Sequence, residues 1–268
     1  MSTVFVCPKC KGAFWAEKGF YRCQNGHMYD RSAGGYVNLL PPGGKQHGDD
    51  KEMLRARRDF LQSGGYKPLS DAIAKTVKEL SLPMDAVMLD AGCGEGYYTQ
   101  AVLEQSPQLS VYGVDVSKDA VKMCDARRMQ ASFAVASVYA LPVADGACDL
   151  VLSVFSPFAR EEFLRILRPE GYLISVIPDK LHLWGLKQVL YDTPYENEVS
   201  SYEVQDFRFL SESKVGFTLN LKTKDQIMSL YRMTPYCYRT GRKGSERIAA
   251  LESLTTEVQF CVLLYQKK

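Results

Sequence analysis

Residues able to do chemistry gather at two places in this chain. The first is the stretch from Val87 to Thr99, Val-Met-Leu-Asp-Ala-Gly-Cys-Gly-Glu-Gly-Tyr-Tyr-Thr. An apolar run ends there in Asp90 and opens into a loop with glycines at 92, 94 and 96. Glycine lets the backbone turn sharply and approach a ligand closely, because no Cβ intervenes. The spacing is not the Gly-x-Gly-x-x-Gly of dinucleotide sites, and an acid, Glu95, stands between the last two glycines. A negative side chain in that position suits a cationic ligand better than a pyrophosphate. S-adenosylmethionine, with a sulfonium and an ammonium group and no phosphate, meets the requirement. Asp115 follows about twenty residues on, where an acid ending the second strand can accept hydrogen bonds from both ribose hydroxyls. The plainer role open to Asp115 or Ser117 is to cap the next helix.

The second place is Cys7-x2-Cys10-x12-Cys23-x3-His27. Four soft or borderline ligands are the number that a tetrahedral structural zinc requires. A closed set of four leaves no position for a reactive water, so the metal is expected to hold structure. The segment around it has too little apolar material for a core of its own, and such modules usually need a metal or disulfides to fold. Lys9, Lys11, Lys18, Arg22 and Arg31 are interleaved there with Phe14, Trp15, Tyr21 and Tyr29. Basic and aromatic residues together can follow phosphates and stack on unpaired bases. Each aromatic taken singly is better assigned to the module's small core.

Composition agrees with a globular enzyme-sized protein. The 268 residues are 46% hydrophobic and 24% charged, enough for a substantial core. No apolar run approaches the roughly 18 residues that cross a bilayer, and no secretory leader pattern stands at the N-terminus. A cytoplasmic protein without membrane association is the expectation. Eight cysteines in a chain of this length argue for metal binding and buried thiols over a disulfide scaffold. Net charge is only +2, but residues 1–60 carry ten Lys or Arg against six Asp or Glu. A basic front on a near-neutral body suggests that the front meets a polyanion.

The elements that must position these groups follow from periodicity. Four short extended pieces (4–6, 13–15, 20–22 and 27–29) make up the first forty residues, and Pro41-Pro42-Gly43-Gly44 opens a linker to Asp50. Met53, Leu54, Phe60 and Leu61 predict one helix face, and Leu69, Ile73, Val77 and Leu80 a second. Strands over 86–89, 109–114, 132–136, 149–154 and 172–177 then alternate with helices over 97–104, 118–127 and 160–167. That alternation predicts an α/β fold with a parallel sheet covered on both faces. The tail predicts a strand or hairpin at 211–222, a helix at 224–231 and a strand at 256–266.

Strand order, glycine loop and spaced acid resemble class I methyltransferases, whose Rossmann-like fold has a mostly parallel seven-stranded sheet. In that family Asp90 orders the loop near the methionine end, and the residues after the third strand, Ser137 among them, border the adenine. The whole chain resembles the bacterial RlmA family of 23S rRNA (guanine-N1-)-methyltransferases. The match is carried by the Cys/Cys/Cys/His set, Gly35-Tyr-Val-Asn-Leu-Leu-Pro41, Ala56-Arg-Arg-Asp-Phe-Leu61, Asp90–Thr99, Val114-Asp-Val-Ser-Lys118 and Met233-Thr-Pro235. The resemblance implies a zinc-ribbon unit (1–40), a linker with helices (41–83) and a transferase domain (84–268). It implies a homodimer acting on guanine N1 in a domain II hairpin of 23S rRNA, with a possible effect on tylosin-type macrolide susceptibility. It also implies that Tyr66, Gly94, Glu95 and His182 contact the donor, alongside Asp90, Gly92, Asp115 and Ser137. Phe155-Ser156-Pro157-Phe158 stands where many base methyltransferases keep a polar-Pro-aromatic motif, so Phe155 and Phe158 are candidates to hold the base. Ser156 and Asp90 are the candidates to take the N1 proton. Two other readings remain: a small-molecule methyltransferase acting on a quinone or polyketide, and a non-catalytic RNA-binding protein on the same fold.

Overall fold

The computed structural model describes residues 3–41, 48–199 and 201–268. Pro42, Gly43 and Gly44 of the expected linker lie outside the described residues. The N-terminal unit is a three-stranded antiparallel sheet of β1 (Phe14–Glu17), β2 (Phe20–Cys23) and β3 (Met28–Asp30). It has little interior: Phe14 stacks on Tyr21 at 5.4 Å, and both are buried. The unit leans on the rest of the chain to complete that interior. Phe5 sets its ring edge-on to Tyr112 at 5.3 Å, and the Val6 amide donates to the Pro142 carbonyl at 2.8 Å.

Next come β4 (Val37–Asn38), α1 (Lys51–Gln62), α2 (Lys67–Glu79), β5 (Val87–Ala91), α3 (Tyr97–Gln105), β6 (Ser110–Asp115), α4 (Lys118–Ala126) and β7 (Ala131–Val135). The second half holds β8 (Cys148–Val154), α5 (Arg160–Ile166), β9 (Leu167–Pro178), α6 (Trp184–Leu190), β10 (Phe207–Leu221), α7 (Lys224–Arg232), α8 (Tyr236–Arg239), α9 (Arg242–Ala249) and β11 (Leu254–Lys267). The main sheet has the order β10-β11-β9-β8-β5-β6-β7-β4. β4 through β9 run parallel, whereas β11 is antiparallel to both neighbours, β9 and β10. The seven strands expected of the class are present. An eighth, β4, comes from the Gly-Tyr-Val-Asn-Leu string, with Val37 opposite Ala134 and Asn38 opposite Val135.

β8 is buried along its whole length, as a strand covered on both faces must be. One face packs Leu69, Ile73 and Val77 of α2, Val102 of α3 and Leu186 of α6 against Met88, Leu150 and Leu152. The other packs Phe163 and Ile166 of α5 with Leu89 and Val151, and the ribbon's Phe5 and Phe14 belong to the same cluster. The predicted tail strand or hairpin at 211–222 is one 15-residue strand, β10, paired along its length with β11. Helices α6, α8 and α9 had no counterpart in the sequence expectation.

Chain order reverses at β5: β6 and β7 lie to one side of it, β8 and β9 to the other. Ligands of open α/β sheets bind outside the carboxyl ends of the strands at such a switch point. Among the described residues, no helix is long and apolar enough to cross a membrane.

Candidate active site and metal centre

The glycine loop leaves β5 with all three glycines in the left-handed region, at φ +84°, +54° and +82°. Two of them are required by the protein's own packing. A Cβ on Gly92 would stand 2.6 Å from Ser156 Cβ, and one on Gly96 would stand 2.7 Å from Met129 Cε. Gly94 differs. Among the described residues a Cβ there would meet nothing closer than Arg57 Nη1 at 4.0 Å, so its outer face is open to a ligand as far as those residues go.

Asp115, at the end of β6, reaches across to this loop. One carboxylate oxygen accepts from the Gly94 amide at 2.9 Å, the other from the Ser117 amide at 2.8 Å. Burial raises its carboxyl above the usual range, and the amides of Ser117 and Gly94 and the Arg57 guanidinium pull it back. Each oxygen keeps further lone-pair capacity for an incoming hydroxyl. Ser117 serves as the helix cap weighed from sequence, accepting from the Ala120 amide at the start of α4. Ser137 follows the end of β7, its hydroxyl accepting from the Tyr139 amide at 3.2 Å.

Asp90 is buried under the loop and accepts from Thr99 Oγ1 at 2.5 Å. Burial pushes its carboxyl up to about 7, opposed by the Thr99 hydroxyl. Glu95 is buried too, and Arg127 pairs with it: Nε lies 3.0 Å from Oε2 and also donates to the Glu95 carbonyl at 2.8 Å. Its other oxygen, Oε1, is buried with no partner among the described residues. Ser156 Oγ is in the same condition, pressed against Gly92.

Tyr66, His182 and Phe155 meet around Phe260 of β11, a residue the sequence reading did not single out. The His182 ring lies 4.4 Å from Phe260, Tyr66 4.9 Å and Phe155 5.2 Å. His182 Nδ1 accepts from the Gln259 amide at 3.3 Å, so the neutral ring carries its proton on Nε2, 3.5 Å from the Tyr66 hydroxyl. Burial, helped by the nearby Lys187 ammonium, drives His182 down to about 3 and keeps it neutral. Phe155 follows β8 with φ +55° and is 46% exposed. An aromatic side chain in that conformation costs on the order of 1–3 kcal/mol, and such strain is concentrated at functional sites. Phe158 belongs to a different group, packing on Phe163, Phe207 and Tyr265.

The roof comes from α1. Its N-cap Asp50 accepts from the Met53 amide at 2.8 Å and from the Tyr238 hydroxyl at 2.7 Å. Arg57 lies half-buried on its inner side, paired with Asp49 and donating to the Met233 carbonyl at 3.3 Å. The string Met233-Thr-Pro235 thus braces the roof helix from the other end of the sequence.

In the ribbon, Cys7 Sγ and Cys23 Sγ each lie 3.4 Å from His27 Nδ1, and Cys10 Sγ lies 3.6 Å from Cys23 Sγ. All four ligand atoms fall within 4.8 Å of one another. Zinc bonds of about 2.3 Å to sulfur and 2.0 Å to nitrogen give tetrahedral edges of roughly 3.5–3.8 Å. The four residues fit that ion, and His27 would bind it through Nδ1, the ring nitrogen that faces the thiols. Trp15, 56% exposed, is the ribbon's outward aromatic, while Phe14 and Tyr21 are its core.

A switch-point crevice with this loop, carried on this strand order, defines a class I methyltransferase joined to a zinc ribbon. Residues 88–171 match the family model for a methyltransferase domain, and residues 5–47 match that for the RlmA N-terminal zinc ribbon. A Streptomyces fradiae protein named 23S rRNA (guanine(748)-N(1))-methyltransferase is 37% identical over 69% of this chain and 66% of its own length. YxjB of Bacillus subtilis, which carries a provisional 23S rRNA (guanine-N(1)-)-methyltransferase name, is 31% identical over 99% of this chain and 98% of its own. The chain belongs to the RlmA family of 23S rRNA (guanine-N1-)-methyltransferases. In fold it is similar to a methyltransferase structure from Bacillus halodurans, with a TM-score of 0.51, 13% identity and coverage of 73% of this chain and 98% of that one.

Proposed function

We propose that this enzyme transfers the methyl group of S-adenosylmethionine to N1 of a guanine in a domain II hairpin of 23S rRNA. The observation that carries the donor assignment is the open face of Gly94, beside the Asp115 carboxylate and beneath Arg57. The acceptor assignment rests on the family and on the basic, metal-held ribbon docked to the same domain. Tyr66, Asp90, Gly92, Gly94, Glu95, Asp115, Ser137 and His182 form the donor site in this reading. Asp115 takes the ribose, while Asp90 keeps the loop in shape through Thr99. The bound donor supplies an electrophilic methyl group on sulfur.

The chain's part is to bring N1 of an unstacked base in line with that methyl group, since N1 lies on the Watson–Crick edge. As the N–CH3 bond forms the S–CH3 bond breaks, S-adenosylhomocysteine leaves, and the N1 proton must pass to a base, for which Ser156 and Asp90 are the candidates. Phe155, exposed and next to the crevice, offers the stacking face. No covalent nucleophile is needed, and the buried thiols of Cys93 and Cys148 are packing residues. The ribbon contacts RNA, Trp15 being its exposed aromatic. The protein works as a cytoplasmic homodimer, and its methylation alters macrolide susceptibility.

Transfer of a tritiated methyl group to naked 23S rRNA and to assembled subunits tests the reading. Labelling confined to one guanine N1 supports it. Tight donor binding with unlabelled RNA in both forms would overturn the acceptor assignment and favour a small-molecule acceptor.

A further inference from the structure

Arg57 has a use that the donor reading leaves unassigned. Of the three arginines on α1, Arg55 and Arg58 are exposed, and only Arg57 turns inward. Among the described residues its Nη1 is the group nearest to the open face of Gly94, 4.0 Å from a Cβ built there. Its charge is felt across the crevice. It opposes the burial that raises Asp115 and Glu95, and it acts in the same sense on the buried phenols of Tyr66 and Tyr98. Three of those four, Asp115, Glu95 and Tyr66, belong to the donor site proposed above.

A guanidinium is a fork of donors matched to a carboxylate, and it cannot be neutralised by losing a proton. Placing one above a loop for a sulfonium ligand would be repulsive unless the ligand also brought a negative group. S-adenosylmethionine has one such group, the α-carboxylate. At present Arg57 pairs with the Asp49 carboxylate just before α1, and both side chains are roughly three-quarters buried, at 27% and 29% exposure. Asp49 therefore occupies the coordination that a ligand carboxylate would use. The Met233 carbonyl holds the other arm of the fork at 3.3 Å and keeps the side chain aimed inward when Asp49 lets go.

We infer that Arg57 recognises the α-carboxylate of the methyl donor, displacing Asp49 as it does so. The inference rests on the donor reading above and adds to it the residue that reads the amino-acid end. It ties donor occupancy to the position of α1, which roofs the crevice.

Calorimetric titration of the zinc-loaded protein with S-adenosylmethionine and with its decarboxylated form tests this directly. A charge-assisted hydrogen-bond pair predicts that wild type prefers the intact donor by about tenfold or more. Arg57→Gln should lose that preference by weakening intact-donor binding, with the decarboxylated donor bound at least as tightly as in wild type. Arg57→Lys, which keeps the charge but not the fork, should retain part of it. Asp49→Asn, which removes the competing carboxylate, should tighten intact-donor binding severalfold. Thermal melts of each variant show whether it is folded.

A preference that survives in Arg57→Gln would overturn the inference while leaving the donor reading intact. An equal loss of both donors in that variant would also overturn it, since that pattern belongs to a collapsed roof. Failure of wild type to bind either donor would instead remove the donor reading, and the inference with it.

Discussion

Ser156 and Gly92 touch so closely that the contact can be measured as an energy. Gly92 has φ +84°, and a Cβ built on it lies 2.6 Å from Ser156 Cβ and 2.7 Å from its hydroxyl oxygen. Gly92→Ala therefore carries two separable costs. The left-handed backbone costs an L residue about 1–2 kcal/mol. The overlap with Ser156 forces a shift of the β8 loop, about 1–3 kcal/mol in a packed site. Ser156→Gly relieves only the second. On its own that change loosens the unfolded chain by about 0.4–1 kcal/mol, offset in part because it deletes a buried hydroxyl with no partner among the described residues. The double variant should be more stable than the sum of the single ones by about 1–3 kcal/mol, the size of the relieved overlap. Urea unfolding of the four proteins, compared at constant m, gives the coupling. Costs that add to within about 0.5 kcal/mol would show that Gly92 is needed for its backbone alone. The contact between the β5 and β8 loops would then have no energetic meaning.

Three further outcomes follow from the site. Cys23→Ala should release zinc to a chelating dye and unfold the ribbon, with donor affinity changed less than about twofold and RNA affinity reduced; equal RNA binding without residues 1–40 would refute the ribbon's role. His182 is held near 3 when folded, against 6.5 when free, so its contribution to stability is whole above pH 6.5 and is lost as pH falls toward 3. His182→Gln should flatten that acid limb, by up to about 1.4 kcal/mol per pH unit, in melts from pH 6.5 to 4. Asp90 has the opposite sign: its folded value is about 7 against 3.8, so stability is greatest at low pH and falls as pH rises from 4 to 7. Asp90→Asn should remove that fall, and an unchanged slope would mean that the carboxyl ionises freely in the folded protein.

How far the sequence could be read depended on whether an element's signal was local. The ribbon's Cys/Cys/Cys/His cluster, the glycine loop and the acid that ends β6 were legible because each is marked by residue type and spacing along the chain. The strands of the parallel sheet were legible as apolar runs between helical segments: of the five predicted, four fall within two residues of their predicted ends, and β9 starts five residues early. What escaped was whatever depends on residues far apart in the chain. Phe260 lies in a run of Val, Phe, Leu and Tyr that marks a strand, but nothing in that run says it will meet Tyr66, His182 and Phe155. Phe155 and Phe158 look like a pair at a spacing of three. The positive φ at Phe155 and the turn after it send them into separate aromatic groups.

Glu95 and Arg57 show how this changes the chemistry assigned to a residue. From spacing, Glu95 is the acid that meets a cationic ligand and Arg57 is one of three arginines on the polar side of a helix. In the fold, Arg127 from the end of α4 pairs with Glu95, so half of that acid's capacity is already used within the protein. Arg57, brought over the loop by α1 and braced at Met233, is a half-buried charge beside Gly94. The crevice is thus less acidic than its sequence suggests, with Arg57, paired with Asp49, acting on the Asp115 carboxylate. A site with both signs suits a zwitterionic amino-acid tail better than a simple cation. For that reason decarboxylated donor discriminates more sharply than any single substitution in the glycine loop. Loop variants change the shape of the crevice and weaken every ligand together, whereas loss of one carboxylate changes a single contact.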